Sequence, residues 1–194
     1  MQTSAMRYSK TTYMALCGLF AALMAICSFI SIPLGFTPVP VNLGTLGVFL
    51  AGGLLGKKYG TVSIAVYVLL GAVGVPVFAG FRGGLSVLAG PTGGYIVGYI
   101  VAAFIIGLLT ELLLTENDET KPAASSRIRE ILACAAAMII GLLACYFLGT
   151  LWFIISTHTG PWASLVLCVF PFLPGDALKV AAGALLVQRL RHLL

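Results

Sequence analysis

Long apolar runs alternate along this chain with short connections that are polar or rich in Pro and Gly. The runs cover residues 13–32, 43–56, 59–75, 93–114, 131–155 and 175–187. Their apolar positions are continuous, so a membrane β-barrel, whose strands change polarity at every residue, does not fit. A helix crossing a bilayer needs about 20 mostly apolar residues. The second and third runs are short and are expected to be tilted, broken or sheltered by neighbours. Pro33 ends the first run, Lys57-Lys58 the second and Pro76 the third. Pro171 and Pro174 fit a loop entering the start of the last helix. The first run is too long for a secretory signal peptide and lacks a small-residue cleavage site. The pattern predicts an all-α fold: one domain over residues 1–194, a single bundle of six transmembrane helices.

Composition narrows the class. Hydrophobic residues make up 60% of the chain and charged residues 9%, against about 45–50% and 25% in ordinary soluble domains. So few charges cannot cover that much apolar surface in water, which excludes a soluble enzyme, a disordered chain and a nucleic-acid binder. The net charge of +5 does not reopen the last of these, because Lys and Arg sit in ones and twos at the ends of apolar runs. With six spans, Arg7, Lys10, Lys57, Lys58, Lys121, Arg127, Arg129, Arg189 and Arg191 fall on one side, nine of the eleven Lys and Arg. The positive-inside rule makes that side cytoplasmic, with both termini inside and the chain multi-pass in the plasma membrane. Five of the six acids (Glu111, Glu116, Asp118, Glu119, Glu130) gather at the connection between spans four and five. There the polar stretch from Thr115 to Ser126 reads as a cytoplasmic loop.

Three charges break the pattern, all in the external half: Arg82, Asp176 and Lys179. Asp176 opens the last helix and Lys179 is three residues on, so both project from one face. A charge near hydrocarbon costs about 2.5–3.5 kcal/mol unless it is paired or faces a wet cavity. One reading is a local ion pair with a helix-start carboxylate. The other is a ligand cavity that offers acceptor and donor together. Arg82 sits in VFAGFRGGLSVLAGPTGG (residues 77–94), apolar yet dense in Gly, and so read as a lid or re-entrant loop. It is either a solvated loop arginine or an anchor for an anion. Asn42 suits an N-cap of the second helix or a ligand contact. Phe36, Tyr95, Tyr146 and Trp152 are candidates for an apolar sleeve, against ordinary packing. In the first span, Gly18/Ala22 and Ala21/Ala25 make a smooth small-residue face, for internal packing or for a partner helix. Cys17, Cys27, Cys134, Cys145 and Cys168 lie in or beside apolar runs and read as small apolar residues. With only His158 and His192 beside them, no metal site is indicated. GGLLGKK at residues 52–58 is not a P-loop, since Ala51 and Lys58 stand where Gly and Ser/Thr are needed. No other catalytic arrangement of residues is recognisable, and no cofactor is implied.

The run PVPVNLGTLGVFLAGGLLG (38–56), with GVPVFAG (74–80), GPTGGY (90–95) and FPFLPGDALK (170–179), resembles the BioY family, the biotin-binding S components of energy-coupling factor vitamin transporters. The resemblance covers nearly the whole chain in the same motif order. It implies a biotin-capture subunit that is not an enzyme, with Asp176 and Lys179 on the biotin head group. It also implies that the Gly-rich connection and GPTGGY close over the ligand from outside, which fits Arg82, Thr92 and Tyr95. It makes the first-helix face, Ala21 and Ala25 with Gly18 and Ala22, the docking surface for a transmembrane coupling subunit. It further implies that two ATP-binding cassette ATPases complete the complex. The family often has Thr and Gln where this chain has Asn42 and Gly44. Alternatives to a biotin subunit are a capture subunit for another small vitamin, an intramembrane enzyme using Asp176, and a structural subunit.

Overall fold

The computed structural model describes residues 9–115 and 123–191. Its order is α1 (Lys10–Phe29), β1 (Ser31–Ile32), β2 (Val41–Asn42), α2 (Gly44–Ala72), α3 (Leu85–Ala89), α4 (Gly93–Thr115), α5 (Ala123–Thr157), α6 (Pro161–Cys168) and α7 (Leu173–Leu190). Ser9 caps α1, its Oγ accepting from the Thr12 N–H at 3.3 Å. The helix stops at Phe29, short of the end of the first apolar run. Ser31 and Ile32 instead pair antiparallel with Asn42 and Val41. Pro33, Pro38 and Pro40 lie between these strands and cannot donate to a helix, so the ladder satisfies the backbone on either side of them.

The second and third runs are the two halves of α2. The break between them is one residue, Gly56, at φ 73° and ψ −176°. Beyond it the chain folds back. A Cβ placed on Gly60 would stand 3.0 Å from the Gly52 Cα, whereas residues eight apart in an unbroken helix are about 12 Å apart. Glu111 of α4 closes this turn. Its Oε1 accepts from the Lys57 backbone N–H at 2.9 Å, and its Oε2 lies 3.3 Å from Lys57 Nζ.

Contacts between helices give their directions. Thr45 meets Asp176, Phe49 meets Gly183 and Gly53 meets Val187, so the first half of α2 and α7 run parallel. Gly94 packs on Trp152, Gly98 on Cys145 and Gly141 on Ile106, so α4 and α5 are antiparallel. Met138 packs on Gly183 and Tyr146 bonds Asp176, so α5 and α7 are antiparallel. Small residues allow these close approaches. The core they enclose includes Met24, Ile64, Ile106, Met138 and Val187, each fully buried.

Outward faces are apolar as well: Leu69, Phe104, Leu112, Leu143, Phe147 and Ile155 are exposed. An apolar exterior around an apolar core is the pattern of a protein dissolved in lipid. Three helical stretches (Lys10–Phe29, Gly93–Leu114, Arg127–Thr157) are long and apolar enough to cross a membrane, and α6 with α7, bent by 53°, passes the same test as a pair.

Several boundaries differ from the hydrophobic pattern. Helices α3 and α6 lie in stretches read as connections. Helix α7 begins two residues before Gly175, with Pro174 in its first turn, where no N–H is needed. Of the expected Thr115–Ser126 loop, residues 116–122 lie outside the described residues, while Thr115 ends α4 and the part from Ala123 begins α5. Arg7, Glu116, Asp118, Glu119, Lys121 and His192 also lie outside the described residues. His158 is exposed, in a left-handed conformation at φ 55°.

Candidate functional site

A cavity opens at the end of the bundle that carries the β ladder and α3. It is enclosed by α1, α2, α4, α5, α7 and the connection between α2 and α4. Asn42, Arg82, Thr92, Tyr95, Tyr146, Asp176 and Lys179, all seven ligand residues expected from the sequence, line it together.

Asp176 is its most enclosed charge, 2% exposed. Three donors converge on its carboxylate. Thr45 Oγ1–H reaches Oδ1 at 3.0 Å, Lys179 Nζ reaches Oδ1 at 2.7 Å, and the Tyr146 hydroxyl donates to Oδ2. These fixed donors replace the water that a buried carboxylate loses. Lys179 is 8% exposed; it gives one N–H to Asp176 and brings the others to the cavity wall. The ion-pair reading and the cavity reading therefore describe the same two residues. The pair forms, and it faces the cavity.

Asn42 also has two positions at once. Its Oδ1 accepts from the Gly44 N–H at 2.8 Å, which sets the turn into α2, while its side chain lines the cavity. Gly44 has to be small there, since a Cβ would meet Asn42 Oδ1 at 2.9 Å and the Tyr99 hydroxyl at 3.2 Å. Tyr95 ties three elements together: its hydroxyl is 3.0 Å from Thr150 Oγ1 and 3.5 Å from the Cys168 carbonyl. Thr92 precedes α4 and its carbonyl accepts from the Tyr95 and Ile96 N–H groups.

The Gly-rich segment lies against the cavity mouth. Phe78 and Arg82 form an antiparallel bridge, with the Phe78 N–H donating to the Arg82 carbonyl at 2.9 Å. The Phe78 ring is buried over Gly71, where any Cβ would overlap it. The tight return runs through Gly80 (φ 72°) and Phe81 (φ 55°), and Phe81 stacks on Phe29 at 4.5 Å. Arg82 is exposed, its Nε donating to the Ala79 carbonyl at 3.3 Å.

The four aromatic candidates divide, with Tyr95 and Tyr146 on the cavity wall and the other two in the alternative reading. Phe36 and Trp152 lie outside the cavity, 60% and 40% exposed. Trp152 donates from Nε1 to the Gly90 carbonyl at 3.0 Å, pinning the turn before α4. The apolar wall comes instead from residues such as Val39, Phe78, Ile96 and Phe172. Sequence reading also missed Ser28, Thr45, Tyr67 and Tyr99, which line the cavity too. The available signal was hydroxyl groups placed deep in apolar runs.

The first-helix face divides. Ala21 and Ala25 are buried in the core of this chain, at 4% and 9% exposure. They pack inside the bundle and are not an outward surface. Gly18 and Ala22 are exposed, and a Cβ on Gly18 would meet nothing within 4 Å.

Comparison with known proteins agrees with this architecture. The chain is 42% identical over 178 residues to the biotin transporter BioY of Thermotoga maritima, covering 91% of this chain and 94% of that one. It is 35% identical over 178 residues to the biotin transporter BioY of Rhizobium etli, covering 91% of each. The crystal structure of the S-component for biotin from an ECF-type ABC transporter superposes with a TM-score of 0.81 at 30% identity, covering 94% of this chain and 92% of that one. The BioY family profile spans residues 1–194, and with such relatives over nearly its full length this chain belongs to the BioY family.

Proposed function

We propose that this chain is the high-affinity biotin-binding membrane subunit of an ATP-driven vitamin uptake system. The observation that carries the reading is the buried Asp176–Lys179 pair facing a cavity whose wall is otherwise largely apolar. Biotin has a cyclic ureido head, which needs an acceptor for its N–H groups and a donor for its carbonyl. Asp176 and Lys179 offer these 2.7 Å apart. The thioether ring and aliphatic chain suit the apolar wall, and the terminal carboxylate suits Arg82.

The chain crosses the plasma membrane six times, as one domain. The passes are α1, the two halves of α2, α4, α5 and α6–α7, a count supported by the fold-back at Gly56 and by the alternating helix directions. Both termini lie inside, since the end bearing Lys57 and Lys58 is the basic one, and the cavity then opens outward. Transport energy comes from partners, a transmembrane coupling subunit and two ATP-binding cassette ATPases, consistent with a chain that has no P-loop. The site binds and releases its ligand unchanged.

Binding of radiolabelled biotin to the purified chain, with riboflavin and thiamine as competitors, tests this reading. Biotin is expected to bind below micromolar, and only unlabelled biotin to compete. Absence of such binding overturns the assignment, and chemically altered ligand points to an enzyme instead. Asp176→Asn and Lys179→Ala should each weaken biotin binding at least tenfold, about 1.4 kcal/mol.

A further inference from the structure

A separate groove lies outside the cavity, where α3, α4 and α5 meet. It encloses about 200 Å³ and is lined by residues such as Leu88 of α3, Val97 of α4 and Leu148, Leu151 and Ile155 of α5. Val97, Leu151 and Ile155 are exposed. Both α4 and α5 include stretches long and apolar enough to cross a membrane, so the groove opens toward lipid. Trp152 sits on its floor at Gly94, where a Cβ would overlap the Trp152 Cβ. Among the lining residues the only polar side-chain atom is Trp152 Nε1, and it already donates to the Gly90 carbonyl at 3.0 Å.

These features select the occupant. No charge lines the groove, so a lipid headgroup or a charged peptide would lose its water there without replacement. A helix with its side chains is about 10–12 Å across and needs an open stripe of small residues. The small residues here, Gly93 and Gly94, are buried against Leu88 and Trp152. A flexible polymethylene chain fits the recess, and it restores the dispersion contacts that apolar walls lack when nothing fills the space between them. The groove also shares its wall with the cavity. Val87 lines the cavity and Leu88 the groove; Tyr95 and Ile96 line the cavity, Gly94 and Val97 the groove. Thr92, which lines the cavity, belongs to the turn that Trp152 holds through Gly90.

We propose that the groove binds an acyl chain of a membrane phospholipid, and that this chain, packed against Trp152, braces the wall carrying Thr92, Tyr95 and Ile96. The bracing rests on the biotin reading above; the acyl site does not. The protein has two tryptophans, Trp152 and Trp162, so Trp162→Phe leaves Trp152 as the sole indole. Phosphatidylcholine brominated along its acyl chains is titrated into the purified full-length Trp162→Phe protein in dodecyl maltoside. It should quench Trp152 fluorescence with saturation near one lipid per chain. Val97→Phe, and Leu151→Phe from the facing wall, each put a ring into the groove and should abolish the saturable phase with the melting temperature kept. Quenching merely proportional to lipid, or saturation retained in both filled variants, overturns the site. Absence of quenching with a doubled particle mass puts a second copy of the chain there instead. Calorimetric titration in the same micelles reads the bracing. Phosphatidylcholine should tighten biotin binding about fivefold, the low end for coupled sites, and biotin should tighten lipid binding by the same factor. Both filled variants should lose this response. Saturable quenching with a biotin affinity that lipid does not move overturns the bracing. If biotin binds under no condition, the biotin reading falls and the bracing with it, while the quenching still decides the acyl site.

Discussion

A carboxylate at 2% exposure keeps its charge only if something replaces its lost water. Around Asp176 the substitutes come from three elements: Thr45 of α2, Tyr146 of α5 and Lys179 of its own helix. Tyr146 is the one that holds Oδ2, the oxygen not engaged by Lys179. Tyr146→Phe therefore leaves that oxygen to turn or to seek water, and biotin binding should fall about tenfold, in line with about 1.5–3 kcal/mol for a hydrogen bond to a charged group. Titration of Tyr146→Phe, Asp176→Asn and the double variant checks the cause. If Tyr146 acts through Asp176, the double variant should bind hardly worse than Asp176→Asn alone. Asp176 and Lys179 were legible in the sequence because a charge in an apolar run is costly and therefore rare. Thr45, Ser28 and Tyr67 were not. A hydroxyl in an apolar helix can bond its own turn, as Ser63 does to the Tyr59 carbonyl at 2.7 Å, so only the three-dimensional contact separates the ligand-facing ones.

The same contrast holds at the level of elements. The apolar runs located the long helices α1, α2, α4, α5 and α7, because a helix packed among apolar neighbours and facing lipid cannot disguise its composition. They did not locate α3 and α6, which are as apolar as the spans beside them. Nor did they fix the ends of α1 or α7, which prolines and local pairing decide. The reversal inside α2 was marked only by Lys57-Lys58, although Gly56 makes it. At φ 73° a side chain is strained, and a Cβ at that position would collide with the Glu111 carboxylate that closes the turn. Gly56→Ala combines both penalties, and this positive-φ, extended-ψ conformation, essentially open only to Gly, alone costs about 1–3 kcal/mol. Its melting temperature in detergent should drop by several degrees, while biotin affinity in the cold, measured at the opposite end of the bundle, should change less than twofold. A matching loss of affinity would mean that the turn and the cavity are coupled.

For the whole molecule, the arrangement separates two tasks by location. One end holds the cavity, with its buried ion pair. The other end holds the basic residues and the turn closed by Lys57 and Glu111. The side of the bundle must meet both lipid and any coupling subunit. The small residues of α1 bear on the last of these. A helix partner needs small residues that are exposed, and only Gly18 and Ala22 of the four candidates meet that condition. Ala21 and Ala25 serve the chain's own packing. Gly18→Trp and Ala22→Trp should leave biotin binding by the isolated chain within twofold and abolish ATP-dependent uptake in cells that also make the coupling subunit and ATPases. Ala21→Trp should do the reverse of a selective block. It has to force a large ring into a position 4% exposed, where overpacking costs about 1–3 kcal/mol, and so should lower the melting temperature and binding together. Unimpaired uptake by both Gly18→Trp and Ala22→Trp would move the partner to another face, since an indole on each position leaves no close approach along that stripe.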